Sequence, residues 1–167
     1  PVMDLKDIFN SYRNRTNSIH CQDRLAKEYG KKYCYYVSEG REALAMALEE
    51  LDLKKDDEVI VPSYVCDIVP KVGGQFATVR YVDVNPATFV IDFTELHKRI
   101  TPKTKAIIMV HLFGKVSDLL KIYELCKANG IVLIEDCAQS IYSFEGNTSA
   151  GSKGDYTILS FRFSKDL

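Results

Sequence analysis

Three residues near the end of the chain have types that do chemistry together: Asp136, Ser160 and Lys165. Asp136 closes the run Ile131-Val132-Leu133-Ile134-Glu135-Asp136, four aliphatic residues leading into two carboxylates. An unbroken apolar run with Gly130 before it and polar residues after it predicts a strand buried on both faces. Asp136 then stands at the carboxyl end of that strand, the edge at which open α/β sheets bind ligands. A second strand, predicted over 156–161, delivers Ser160 and then Lys165. An acid, a hydroxyl and a lysine on one rim match what pyridoxal phosphate needs: a carboxylate for the pyridine nitrogen, donors for the phosphate and an amine for the aldehyde. The carboxylate keeps the ring nitrogen protonated, which makes the ring an electron sink. A partly desolvated lysine beside a cationic ring loses proton affinity and attacks a carbonyl. Taken singly, each residue has a blander reading. A strand-end Asp caps a helix, and a lysine near a terminus is solvated.

Other chemistries lack their signatures. No Gly-x-Gly-x-x-Gly follows the first predicted strand, and there is no Gly-Lys-Ser/Thr phosphate loop. His20, His97 and His111 show no metal-ligand spacing. His97 falls on a solvated helix face. His111 ends a predicted strand at the same rim, where a hydrogen-bonded structural role is the commoner one. The turn Ser38-Glu39-Gly40-Arg41 leads into a helix predicted over 42–51, and free backbone N–H groups at such a start can face an anion.

The elements that must position these residues follow from punctuation and periodicity. The 167 residues, 46% apolar and 27% charged, suffice for one domain with a real core. A net charge of -1 gives no footprint for a nucleic acid or a membrane surface. No apolar run approaches a membrane span, and Pro1-Val2-Met3-Asp4-Leu5-Lys6 lacks a signal-peptide core. Cys21, Cys34, Cys66, Cys126 and Cys137 form no Cys-x-x-Cys pair and read as reduced thiols of a cytoplasmic protein. Helices are predicted over 4–13 and 21–29, the second stopped by Gly30, then a strand over 33–37. A strand over 58–62 precedes a helix over 64–72, capped by Ser63, disturbed at its end by Pro70 and broken by Gly73-Gly74. A strand over 76–82, a turn at Asn85-Pro86 and a helix from the Asp92-x-x-Glu95 box to Arg99 come next. A strand over 105–111 and a helix from a Ser117 cap to Asn129, stopped by Gly130, complete the series. This alternation predicts an α/β fold with a mostly parallel sheet flanked by helices and no internal domain boundary.

The ordered segments resemble the DegT/DnrJ/EryC1/StrS family of sugar aminotransferases from Tyr33 onward. They are Ser38-Glu39-Gly40-Arg41-Glu42-Ala43-Leu44, Asp57-Glu58-Val59-Ile60-Val61-Pro62-Ser63-Tyr64, Val82-Asp83-Val84-Asn85-Pro86, Thr104-Lys105-Ala106-Ile107-Ile108, Val110-His111-Leu112-Phe113-Gly114, Ile134-Glu135-Asp136-Cys137-Ala138-Gln139, and Gly154-Asp155 through Ser160-Phe161 to Lys165. The resemblance implies the PLP-dependent transferase fold type I and an enzyme that moves an amino group from glutamate to a nucleotide-diphosphate keto-sugar, for polysaccharide or deoxyaminosugar synthesis. It implies Lys165 as the Schiff-base lysine, Asp136 as the acid on the pyridine nitrogen and Gln139 beside the ring hydroxyl. Ser160 matches a phosphate-binding hydroxyl, and Gly40 and Arg41 match the pair whose amides hold the phosphate. Two positions depart from the pattern: the family usually has threonine where Arg41 stands, and often an aromatic ring over the cofactor where Cys66 stands.

The resemblance also implies a homodimer with active sites at the subunit interface. Family members are much longer, so residues 1–167 are expected to be the N-terminal part of the large PLP-binding domain, without the small C-terminal domain. Alone, this stretch is expected to bind little cofactor and turn over poorly. Two other readings stand beside this one. A non-catalytic regulatory or interaction protein on the same fold would be expected to lose the motif, yet Asp136, Gln139, Ser160 and Lys165 all stand. A sugar dehydratase of the same fold typically replaces the lysine by histidine, and Lys165 argues against it.

Overall fold

The computed structural model describes residues 18–116 and 118–161. Contacts divide the chain into two compact units, Pro1–Tyr36 and Val37–Leu167. In the first, helix α1 (Ser18–Glu28) ends where expected. Gly30 follows at φ 65, a left-handed conformation that costs glycine least, and the Lys31 N–H closes on the Ala26 carbonyl at 2.7 Å. The helix expected over 4–13 lies outside the described residues. The strand expected over 33–37 does not form. Tyr33, Tyr35 and Tyr36 are exposed, and no strand among the described residues pairs with them. Aromatic and β-branched composition favours a strand only where a neighbouring strand and a packed face exist.

The second unit is built on a five-stranded sheet. Its strands are β1 (Glu58–Pro62), β2 (Thr78–Val82), β3 (Thr104–Val110), β4 (Val132–Asp136) and, after a short antiparallel hairpin of β5 (Phe144–Glu145) and β6 (Thr148–Ser149), β7 (Tyr156–Ile158). The order is β2-β1-β3-β4-β7, and every pairing in it is parallel. Helices α2 (Gly40–Glu49) and α3 (Ile68–Phe76) cover one face, and α4 (Phe93–Arg99) and α5 (Leu119–Asn129) the other.

Strand alternation sorts the core into two layers. Val59, Val61, Ile108, Ile134 and Ile158 pack with Leu44, Leu48, Val69 and Val72 of α2 and α3. Ile60, Ile107, Met109 and Leu133 pack with Leu96, Leu119 and Ile122 of α4 and α5. Helices on both faces explain why β1 is buried along its whole length and reads as a continuous apolar run. All five cysteines are free thiols, and burial, with Asp155 adding to it, pushes the Cys126 thiol up to about 12.

Several boundaries differ from the sequence expectation for physical reasons. The helix expected over 64–72 is α3, four residues later, and Ser63 does not cap it. The Ser63 hydroxyl instead donates to Asp83 Oδ1 at 3.3 Å. Pro70 falls in the first turn of α3, where a backbone N–H has no intrahelical partner to lose. Gly73 and Gly74 lie inside the helix rather than after it. A Cβ at Gly73 would stand 3.3 Å from Val79 Cγ2, so glycine there permits close approach to β2, which begins at Thr78 rather than 76. The expected cap Ser117 lies outside the described residues. The N–H groups of Asp118 and Leu119 donate to the Glu145 carboxylate at 2.9 and 3.1 Å, so α5 is capped from the β5 hairpin. Asp92 caps α4 as expected, accepting from the Thr94 and Glu95 N–H groups at 2.8 and 3.0 Å, and Gly130 ends α5 at φ 63.

The two helix glycines are expected to respond oppositely. A Cβ at Gly74 meets Val79 at an ordinary 3.8 Å, so Gly74→Ala should stabilise the chain by about 0.5–1 kcal/mol through helix propensity. Gly73→Val must displace the Val79 side chain and should cost about 1–3 kcal/mol. Urea unfolding of the two variants checks the pair, and a stabilised Gly73→Val would contradict the close-approach argument.

Candidate functional site

Asp136 is the last residue of β4, flanked in the sheet by Val110 of β3 and Ile158 of β7. It follows Ile134 by two, so it shares the sheet face that carries α2. Its Oδ1 accepts the Ala138 N–H at 2.9 Å, which fixes the carboxylate in a local turn. Its carbonyl accepts the His111 N–H at 3.0 Å. The chain then brings in Gln139, whose carbonyl accepts the Gly114 N–H at 3.2 Å and whose Oε1 faces the Phe113 N–H at 3.4 Å. Phe113 and Gly114 both have left-handed φ, 54 and 72, and this folds the end of β3 back over the end of β4.

Ser160 follows the end of β7 and is half-buried. The start of α2 lies at the same edge. Burial, and after it the negative charges of Glu50 and Asp155, push the Tyr156 hydroxyl up in pKa. Glu50 closes α2 and Tyr156 opens β7, so the helix runs antiparallel to the strand and begins at the carboxyl edge. There Gly40 and Arg41 form the first turn. Glu39 precedes them in an extended conformation without a side-chain cap, and a Cβ on Gly40 would meet nothing within 4 Å. The Arg41 guanidinium pairs with the Glu39 carboxylate. The Ser38 hydroxyl donates to Glu42 at 2.7 Å and holds that carboxyl below its usual range. Cys66 is exposed in the loop after β1, its thiol 3.8 Å from Asp67 Oδ1, with β3 between its strand and that of Asp136. Lys165 lies outside the described residues.

Sequence reasoning passed over Glu135 and favoured a hydrogen-bonded structural role for His111, which is buried and bonded. Glu135 is fully buried on the opposite face from Asp136, as the pleat requires of consecutive residues. Its Oε1 accepts the N–H groups of Lys153 at 2.8 Å and Gly154 at 2.5 Å; its Oε2 accepts the Gly151 N–H at 2.7 Å and faces His111 Nε2 at 2.9 Å. Burial alone would raise this carboxyl, but the bond and charge of His111 and the amides of Gly154 and Gly151 outweigh it, and the net shift is downward. The legible signal was the glycine-bracketed stretch Gly151-Ser152-Lys153-Gly154, a run suited to wrapping an anion in backbone N–H groups. The rim also carries three exposed rings in contact, Tyr64 to Phe89 at 5.6 Å and Phe89 to Phe113 at 5.7 Å between centroids.

Residues 10–167 match the family model described as the DegT/DnrJ/EryC1/StrS aminotransferase family. The dTDP-3-amino-3,6-dideoxy-alpha-D-galactopyranose transaminase of Aneurinibacillus thermoaerophilus is 36% identical over 140 residues, 83% of this chain and 38% of the relative. The GDP-perosamine synthase of Escherichia coli O157:H7 is 35% identical over 149 residues, 87% of this chain and 40% of the relative. The chain therefore spans about two fifths of the length of these curated relatives. Among solved structures, the E. coli GDP-4-keto-6-deoxy-D-mannose-3-dehydratase with bound hydrated PLP superposes with a TM-score of 0.78 at 28% identity, covering 92% of this chain and 43% of that one.

Glu135 sets an acid limit on the fold. Its folded pKa lies below its ordinary value of about 4.5, so its stabilisation is fully present above that value and is lost as pH falls through the folded pKa. Glu135→Gln should cost about 3 kcal/mol at neutral pH, because amide hydrogens then face backbone N–H donors, and should flatten the loss of stability below pH 4.5. Gly154→Ala should destabilise by a similar amount, since its Cβ would lie 2.6 Å from the Tyr156 carbonyl oxygen and 3.0 Å from Glu135 Cγ. Denaturant unfolding across pH tests both, and an unaltered acid limb in Glu135→Gln would contradict the assignment.

Proposed function

The chain belongs to the DegT/DnrJ/EryC1/StrS aminotransferase family, and on that premise we propose that it is the cofactor-binding part of a pyridoxal-phosphate-dependent aminotransferase, moving an amino group from glutamate to a keto-sugar carried on a nucleotide diphosphate. The observation that carries this reading is the carboxyl edge of the sheet. There a carboxylate held in a fixed turn shares a face with a helix start whose first residue borders open space. The donor set fits the cofactor's chemistry: an acid for a cationic nitrogen, an amide for a ring hydroxyl, and N–H and O–H donors for a phosphate. The names of the relatives, transaminases and synthases of nucleotide-linked sugars, support the substrate class and favour an enzyme over a regulatory protein on the same fold.

In this reading pyridoxal phosphate supplies an electron sink that stabilises negative charge at the amino-bearing carbon. Asp136 holds a proton on the pyridine nitrogen. Gln139 orients the ring through its hydroxyl. The Ser160 hydroxyl and the backbone N–H groups of Gly40 and Arg41 take the phosphate. Lys165 would provide the amine that anchors the cofactor and a base able to accept and return a proton. Cys66 stands where the resemblance expects a ring, and the chain is read as the N-terminal part of the large domain of a cytoplasmic homodimer. No helix among the described residues is long and apolar enough to cross a membrane.

The full-length protein mixed with pyridoxal phosphate should develop a visible band that borohydride bleaches into a stable adduct, with the added mass on the peptide containing Lys165. Mapping of the adduct to another lysine, such as Lys153, would overturn the assignment. Asp136→Asn should keep the fold and slow the half-reaction with glutamate by about 100-fold or more. An unchanged half-reaction rate in that variant would remove Asp136 from the mechanism.

A further inference from the structure

The proposed chemistry does not use the buried pair of His111 and Glu135, yet this pair contacts the segments that lead to Asp136, Gln139 and Ser160. On one side, the Glu135 carboxylate takes the N–H groups of Gly151, Lys153 and Gly154. That loop runs directly into β7 and on to Ser160, and a Cβ at position 154 would lie 2.6 Å from the Tyr156 carbonyl oxygen and 3.0 Å from Glu135 Cγ. On the other side, Glu135 meets His111 Nε2 at 2.9 Å. An ionised carboxylate only accepts, so the ring proton of this bond sits on Nε2. Nδ1 is buried and has no hydrogen-bond partner among the described residues. The backbone of His111 binds the end of β4 twice. Its N–H donates to the Asp136 carbonyl at 3.0 Å, and its carbonyl accepts the Ser140 hydroxyl at 2.6 Å. Two residues later, the turn of Phe113 and Gly114 holds Gln139.

We propose that His111 is a positioning residue, which through Glu135 locks the turn that holds Gln139 and the loop that leads to Ser160 into one geometry against Asp136. Its bearing on the cofactor rests on the functional reading above; the lock itself does not. The competing possibility is that His111 only fills the core. With an apolar residue in its place Glu135 keeps three N–H donors, and replacing one member of a buried polar pair would then act on the stability of the whole fold. A positioning role acts locally instead: the turn and the loop loosen while the sheet stays protected.

The test compares His111→Leu with His111→Gln, whose side-chain amide can again donate to Glu135, in the full-length protein. Hydrogen exchange is read first, without cofactor. The N–H groups of Gly114, Gly151, Lys153 and Gly154 should exchange about tenfold faster in the leucine variant, with Ile107 and Met109 of β3 unchanged, and should recover in the glutamine variant. Pyridoxal phosphate is then titrated and followed by its visible absorbance. The leucine variant should lose about tenfold in affinity with no matching fall in the melting temperature of the cofactor-free protein, and glutamine should restore it. Exchange that is unchanged, or faster throughout the sheet, overturns the proposal, as does equal affinity in all three proteins or a glutamine variant as impaired as the leucine one. If the wild-type protein takes up no pyridoxal phosphate, the functional reading falls, and the exchange pattern alone decides the positioning role.

Discussion

A carboxylate buried without partners is among the most unfavourable groups a core can hold, and the end of β4 places Glu135 there with no exposed surface. The structure around it is the set of donors that makes this tolerable. Three backbone N–H groups must come from a segment able to curl around two oxygen atoms, and residues 151–154 do so with glycine at both ends. That curl places Asp155 against Leu133, to which it is bonded through both its N–H and its carboxylate, and so starts β7 in parallel register beside β4. The outer strand of the sheet is therefore laid down by the solvation of one buried charge as much as by its own three residues.

The parallel sheet decides where the candidate ligand-binding groups lie. In a parallel sheet all carboxyl ends share one edge, so Cys66, Asp136, Gln139 and Ser160 gather there from the ends of β1, β4 and β7 without any special device. What requires explanation is their order. The turn at 113–114 uses two left-handed residues, one of them Phe113, which carries a cost of about 1 kcal/mol or more for a residue with a side chain. The return is the bond from Gly114 to the Gln139 carbonyl, which keeps the segment after Asp136 from running out into solvent.

Much of this architecture was legible because it is local. The apolar runs of β3 and β4, the Asp92 cap and the Gly130 stop depend on neighbours a few residues away, and the structure shows each. The misplacements share one cause, a partner outside the segment itself or the lack of one. Ser63 has the chemistry of a cap, but its hydroxyl is taken by Asp83. The N–H groups at the start of α5 are held by Glu145. Gly73 reads as a breaker until Val79 is seen against it, and residues 33–37 read as a strand until the absence of a paired neighbour among the described residues is seen. At the carboxyl edge, the place of Asp136 at a strand end could be read, whereas the burial of Glu135 could not. A buried Glu and an exposed one look alike in sequence, and the loop that satisfies this one arrives 16 residues later.

Adjacent carboxylates on one face of a strand end would compete for the same donors, and the pleat prevents it. Consecutive side chains leave opposite faces. Glu135 turns toward the layer of α4 and α5, where its charge is consumed by four donors. Asp136 turns toward the layer of α2, half-buried, with one oxygen held by the Ala138 N–H. The first carboxylate gives up access to solvent and orders the backbone. The second keeps access and takes its orientation from the backbone so ordered, since its own strand is tied to the strands on both sides by the residues bound to Glu135. Under the proposed function, a substitution at Asp136 should therefore act on chemistry with little effect on folding, whereas one at Glu135 acts first on folding. Two neighbouring acids of the same ionic type thus acquire different environments from a rotation of half a strand period.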